Sequence, residues 1–151
     1  AGERFVAFRE RLRDLLPLLP GETRRRARET MPRAPGPASA PDTGRFLETL
    51  RLVEDFQERV TPAPHRIETG DAAAVLGDVV FFGLGAAIGT TPDGATGYTG
   101  KPGPGGWVWT EHTGLAGRVR EIRAILEGGA IPRFVRVPGL DLPSASEEGA
   151  P

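Results

Sequence analysis

The sequence predicts an α+β fold in which N-terminal amphipathic helices precede a small antiparallel β-sheet, with a C-terminal helix packed on that sheet. Apolar residues recur every three or four positions through the first 60 residues and again over 115–126, which is the helical period. Between these parts, short apolar runs alternate with glycines and turn sequences, which is typical of antiparallel strands. The alternative prediction is a mainly β barrel decorated with helices.

Three helices are predicted before the sheet. The first covers Glu3–Leu19, with Pro17 and Pro20 disrupting its end because proline lacks the donor N–H. The second, Glu22–Met31, carries an arginine run that we interpret as a solvated face. The third, Asp42–Val60, starts at a good N-cap residue and ends at the prolines that follow it.

The chain, 151 residues long, is predicted to divide into three parts. Residues 1–60 form a helical region, which contains an extended proline-rich linker over 31–41. Residues 61–138 form the antiparallel sheet and the helix packed on it. Residues 139–151 are predicted to be a disordered tail, because too few apolar side chains follow to offset the entropy of ordering.

Five strands are expected over residues 65–109. The predicted segments are His65–Glu68, Ala74–Phe82, Leu84–Thr91, Ala95–Thr99 and Trp107–Trp109. Thr91–Gly94 has proline and glycine at the positions that a type I turn prefers. Gly100–Gly106 is expected to be a flexible loop.

The last predicted helix is Gly114–Glu127, with Thr113 as its N-cap. We expect its apolar stripe to bury against Phe81 and a tryptophan. That stripe consists of Leu115, Val119, Ile122 and Leu126. A closing strand is expected at Phe134–Val137.

Charge and composition exclude several classes of protein. Nineteen basic against twenty acidic residues give a net charge of -1, which removes the basic field that nucleic-acid binders use. Nucleic acid is therefore not an expected partner. The absence of cysteine excludes disulfides, thiolate metal sites and cysteine nucleophiles.

No pattern of reactive side chains predicts catalysis, a cofactor or a metal site. The three serines, Ser39, Ser144 and Ser146, fall in the linker and the tail, where nothing rigid would hold a nucleophile. His65 and His112 lie on separate segments and match no metal motif, so we interpret both as solvated or hydrogen-bonded. The protein is therefore expected not to be an enzyme.

The glycine-rich segment Ala72–Gly89 suggests two further functional interpretations. A dinucleotide-binding loop would need glycine where Ile88 stands, followed by a helix, and a turn sequence follows instead. A membrane span would place Asp78 near the bilayer centre. A buried hairpin is the better prediction, and the protein is not expected to be transmembrane.

The candidate ligand or partner surface consists of Tyr98, Lys101, Trp107 and Trp109. Alternation along a strand places both indoles on one face of the sheet. Aromatic faces beside an exposed glycine loop could stack on sugar rings, as in a peptidoglycan-binding module. The other interpretation is that these rings close the core between the sheet and the last helix.

Several stretches carry a family resemblance when they are taken in serial order over most of residues 12–138. They are Leu15–Glu22, Arg45–Leu50, Asp78–Gly83, Pro92–Gly94, Gly97–Tyr98, Trp107–Val108 and Ile131–Pro138. In their order and spacing the chain resembles an uncharacterised bacterial family, a domain of unknown function described as a TonB-system-associated or biopolymer-transport auxiliary protein.

The resemblance implies a non-enzymatic periplasmic accessory protein of a TonB–ExbB–ExbD-like energy-transduction system. Its partners would be envelope proteins such as ExbB, ExbD or TonB. The family pattern begins with a signal peptide and a long coiled coil that the present chain lacks, so a homo-oligomer through that upstream coiled coil is a further expectation. No catalytic residue or cofactor is carried over.

Overall fold

The computed structural model describes residues 2–32, 40–70, 73–133 and 135–137, and it confirms the α+β fold. The helices are α1 (Gly2–Leu15), α2 (Gly21–Thr30), α3 (Ala40–Gln57) and α4 (Leu115–Leu126). The strands are β1 (Val60–Ile67), β2 (Val75–Phe82), β3 (Ala86–Thr90), β4 (Gly97–Gly103) and β5 (Gly106–Glu111).

Helices α1 and α3 both end before their predicted last residues. Helix α1 stops at Leu15, and the chain continues as a 3-10 turn, Leu16–Leu18, that contains Pro17. Helix α3 ends at Gln57 rather than at Val60, and Pro62 and Pro64 lie inside strand β1. Proline is tolerated there because β1 pairs only with β2, so its other edge needs no ladder hydrogen bond.

The five strands form one antiparallel meander in the order β1-β2-β3-β4-β5. The hairpin predicted over Ala72–Gly89 is confirmed by the pairing of β2 with β3, in which Val80 lies opposite Ile88. Its turn requires glycine at position 83, where φ is 58° and a Cβ would lie 2.5 Å from the backbone oxygen of Gln57. Since β1 and β5 are not paired with each other, the sheet is open and the barrel alternative is wrong.

The expectation of a flexible loop over Gly100–Gly106 is wrong. Strand β4 runs through Gly103 and β5 starts at Gly106, so only Pro104 and Gly105 remain in the turn. Lys101 accordingly lies in a strand, opposite Val108. The glycines suggested a loop, whereas cross-strand pairing decided the conformation of this segment.

The two faces of the sheet carry different cores. One face, called here the aromatic face, presents Val79, Phe81, Trp107 and Trp109. These side chains form one cluster with apolar residues of α1, α2, α3 and the 3-10 turn, including Leu12, Leu19, Ala27 and Phe56. The first three helices and the sheet therefore share a core.

Helix α4 covers the opposite face, so the prediction that its stripe meets Phe81 and a tryptophan is wrong. Leu115 and Val119 are fully buried against Val80 and Ile88, with Ile122 partly buried beside them. The physical reason is strand alternation, since Val80 and Phe81 are neighbours in sequence and point to opposite faces. Leu126 is 40% exposed and lies at the edge of this contact.

Two smaller expectations also fail. Thr113 does not cap α4, because Gly114 occupies the N-cap position in the left-handed conformation and no side chain caps the helix. Residues 135–137 form no strand, although Val137 packs beside the α4 core, and Phe134 lies outside the described residues. Residues 33–39 of the predicted linker and the tail 139–151 also lie outside them.

In the part that is described, no helix has the length and apolarity to cross a bilayer.

Candidate functional site

The predicted surface of Tyr98, Lys101, Trp107 and Trp109 does not form one open patch. The three rings lie on the aromatic face, whereas Lys101 lies on the other face and is exposed. Tyr98, Trp107 and Trp109 expose 9%, 9% and 7% of their surface. Sugar stacking needs an open ring face, so these rings do not offer the geometry that the peptidoglycan-binding alternative requires.

The two indoles instead join the sheet to the N-terminal helices. Trp107 donates a hydrogen bond from Nε1 to the backbone oxygen of Leu18, at 2.8 Å. Its ring lies 5.6 Å from that of Phe81 and 6.2 Å from that of Trp109, measured between centroids. The core interpretation therefore fits both tryptophans, with α1–α3 rather than α4 as the covering layer.

A cleft of about 340 Å³ lies between the free edges of β1 and β5 and is the strongest candidate site in the described residues. Strand β1 and the segment after it contribute Pro64, His65, Arg66 and Glu68. Strand β5 and its turn contribute Gly105, Gly106, Trp107 and Trp109. The segment from the 3-10 turn into α2 contributes Pro17, Gly21 and Arg24, and Leu76 of β2 completes the lining.

Sheet curvature creates this cleft. In a flat sheet, four strand spacings would separate β1 from β5 by about 19 Å. The rings of His65 and Trp109 nevertheless have centroids only 6.3 Å apart. The sheet therefore curls around the aromatic face, and its two edges approach without pairing.

His65 is the most unusual side chain in the cleft. Its ring contacts Phe81 edge-on at 5.2 Å, and the residue exposes only 9% of its surface. Neither ring nitrogen has a hydrogen-bond partner among the described residues. Burial, helped by the nearby charge of Arg24, lowers the pKa of His65 to about 4. The imidazole is therefore neutral at pH 7, with one donor and one acceptor nitrogen.

Arg24 holds a fixed position on the α2 side of the cleft. Its Nε and Nη2 atoms both donate to the backbone oxygen of Leu19, at 3.2 and 2.9 Å. Nη2 also donates to the backbone oxygen of Pro17 at 3.0 Å. Burial, with a smaller contribution from the charge of Arg28, lowers the pKa of Arg24, although a guanidinium remains charged at neutral pH.

The other two charges in the lining compensate each other. Arg66 Nε lies 2.8 Å from Glu68 Oε1. Both side chains are largely exposed, so the pair adds little stability. The cleft is left with the positive charge of Arg24 and the neutral polar ring of His65.

We expect the free energy of unfolding to fall as the pH drops from about 6.5 to about 4, because of His65. Over this window His65 stays neutral in the folded protein but takes up a proton in the unfolded chain, which favours unfolding. Arg24, whose charge contributes to the shift, stays a cation over the window. Urea denaturation across this pH range should show the difference in unfolding free energy between wild type and His65→Gln shrinking as the pH falls.

The His65→Gln variant is the control for the other ionisable groups, including Glu68. These groups are present in both proteins, so their effect on the free energy of unfolding cancels in the difference. A difference that does not change with pH would contradict the prediction. So would an NMR titration that places the folded-state pKa of His65 near 6.5.

Sequence reasoning found the tryptophans but missed His65 and Arg24 as members of a site. His65 was interpreted as solvated or hydrogen-bonded, and Arg24 as part of a solvated run. The available signal was alternation, since His65 and Ile67 share the buried face of β1. Nothing local to either residue indicated that they would meet at one cleft.

A second feature is an aromatic patch where α1 meets α3, formed by Phe5, Phe8 and Phe46. The ring of Phe46 lies 5.4 Å from that of Phe5 and 6.2 Å from that of Phe8. Phe8 is 53% exposed. Arg4 and Arg11 border a shallow hollow beside Phe8, so the patch is apolar with basic margins.

Comparisons with known proteins found no match to this chain. No protein-family model matches the chain, no curated protein matches it, and no solved structure matches it. Among the described residues, no group of three or more histidine, aspartate or glutamate side chains is placed to hold a metal ion.

Proposed function

We propose that this protein is a non-enzymatic accessory protein of a TonB–ExbB–ExbD-like energy-transduction system in the periplasm, and that it acts by binding envelope proteins. The serial resemblance over residues 12–138 supports the choice of system. The observation that carries the binding role is the aromatic patch where α1 meets α3, in which Phe8 is half exposed. A contiguous apolar patch with polar margins is typical of a protein interaction site.

The patch suits an amphipathic helix with acidic flanks. Phe8 would insert between apolar side chains of the partner, as in helix-in-groove recognition. Arg4 and Arg11, on either side of Phe8, would face carboxylates on the polar margins of the partner helix. The partner surface that we propose is therefore an acidic amphipathic helix of an ExbB-, ExbD- or TonB-like protein.

Affinity capture of the full-length protein from envelope membranes, followed by mass spectrometry, tests the proposal. We expect ExbB- or ExbD-like proteins to be enriched in several mild detergents. Phe8→Glu should reduce that enrichment about tenfold or more, because it places a charge where an apolar side chain must be buried.

Val108→Glu is the matched control, since Val108 is also a largely exposed apolar residue but lies on the sheet, away from α1. It should leave the capture unchanged. Absence of ExbB- and ExbD-like proteins in every detergent would contradict the choice of system. Equal capture by wild type and Phe8→Glu would contradict the role of the patch.

The location in the periplasm and a homo-oligomer through an upstream coiled coil remain predictions from the resemblance. Fractionation of cells that produce the full-length protein would test the first. Sedimentation of the full-length protein would test the second.

A further inference from the structure

We propose that the cleft between β1 and β5 binds the carboxylate of a small ligand, with Arg24 as its counter-charge and His65 as a hydrogen-bond partner. This site is independent of the aromatic patch on α1. It adds a ligand to the protein's function rather than another protein partner.

The first argument is the state of His65. The residue is nine-tenths buried, yet its ring nitrogens have no partner among the described residues. They also keep some contact with solvent, since neither is among the fully enclosed side-chain atoms without a hydrogen bond. A ring nitrogen that opens on the cleft is free to hydrogen-bond with a ligand group bound there, because the fold itself does not occupy it.

The second argument is the charge of the cleft. Arg66 is paired with Glu68, whereas within the described residues Arg24 has no acidic partner and binds backbone oxygens of Leu19 and Pro17. These bonds hold the guanidinium in place, and its Nη1 atom makes no hydrogen bond within the described residues. A fixed, partly desolvated guanidinium is suited to a carboxylate, because little freedom is lost on binding.

The third argument is the start of α2 at the cleft. Gly21, the first residue of this ten-residue helix, lines the cleft, and Pro20 at the N-cap offers no side-chain acceptor. The first-turn N–H groups and the helix dipole favour a negative charge at this end. Arg24, the helix start and His65 thus favour the same kind of ligand group.

The shape and remaining lining define the rest of the ligand. A volume of about 340 Å³ is at the small end of ligand pockets, which suits a molecule of dipeptide size. Trp107 and Trp109, which also line the cleft, provide apolar surface for its body. Since Arg66 and Glu68 compensate each other, Arg24 supplies the net charge of the described lining, and we expect a monocarboxylate rather than a phosphate dianion.

The probe that we propose is N-acetyl-Ala-Ala with a free carboxylate, compared with N-acetyl-Ala-Ala amide, which has the same size and no charge. Both are titrated at millimolar concentration into the intact protein near pH 7. The signals to follow are the indole N–H resonances of Trp107 and Trp109 and the ring resonances of His65. We expect saturable shifts with the acid and about tenfold weaker binding of the amide.

Arg24→Gln should weaken binding of the acid about tenfold or more, whereas Arg25→Gln should not. Arg25 is the matched control, since it is the next residue of α2 but is exposed and paired with Glu22. Because Arg24 also ties down the 3-10 turn, folding of its variant is checked by thermal melting. His65→Gln, together with the comparison of acid and amide on the wild-type protein, keeps the test decisive if Arg24→Gln does not fold.

Three results would overturn the proposal. The first is no saturable shift with the acid at millimolar concentration. The second is equal binding of the acid and the amide. The third is tighter binding of inorganic phosphate than of the acid at the same resonances, which would assign the cleft to a different anion.

Discussion

Replacing Phe81 by alanine is expected to lower the free energy of unfolding by about 3–5 kcal/mol. Phe81 has no exposed surface and lies at the centre of the aromatic face. Its ring contacts those of Phe56, His65 and Trp107 at centroid distances of 5.8, 5.2 and 5.6 Å. The substitution removes these contacts and leaves a cavity that three separate elements cannot easily fill.

Urea denaturation, followed by circular dichroism, measures this change. Phe8→Ala is the matched control, because the same substitution at a half-exposed ring should cost no more than about 1 kcal/mol. Phe81→Ala should also alter the tryptophan emission of the folded protein, since Trp107 loses a neighbouring ring. A loss of stability no larger than that of Phe8→Ala would show that Phe81 is not at the centre of the core.

The second large effect is expected for Leu115→Ala, which should lower the free energy of unfolding by about 2–5 kcal/mol. Leu115 is fully buried in the smaller core, where α4 packs on Val80 and Ile88. Its backbone also passes close to β4, since a Cβ at Gly97 would lie 2.7 Å from the backbone nitrogen of Ala116. The same denaturation experiment measures the change.

Leu126→Ala is the control on the same helix, and it should have a small effect because Leu126 is 40% exposed. Leu115→Ala should leave the tryptophan emission of the folded protein unchanged, because both indoles lie on the other face of the sheet. A changed emission would contradict the two-core arrangement. A loss of stability equal to that of Leu126→Ala would show that α4 does not cover a core.

Much of the secondary structure could be predicted from the sequence. The helical periods of α1 to α4 and the hairpin over 75–90 were recognisable, as was the turn at Thr91–Gly94, where Gly94 N donates to Thr91 O at 2.8 Å. These features follow from side-chain spacing and from the conformational limits of proline and glycine. The prediction of a flexible loop over Gly100–Gly106 is wrong, because strand pairing outweighed a composition typical of loops.

The candidate site was only partly predictable. Trp107 and Trp109 were assigned to one face of the sheet, and the structure places them together. Their burial under α1–α3, rather than under α4, could not be read from periodicity, because alternation separates the two faces without saying which helix covers each. Lys101 was grouped with the rings only because a loop was expected there.

The sequence by itself determined the class of fold, the order of its elements and which side chains share a strand face. These three properties depend on local interactions. Helical and strand periods are set by the spacing of side chains over a few residues, so they can be recognised directly in the sequence. Only the tertiary structure decided that α1–α3 cover the aromatic face and that the free edges of β1 and β5 meet at a cleft. It also decided that Arg24 and His65 would share that cleft, since sheet curvature and helix packing act between segments far apart in the chain.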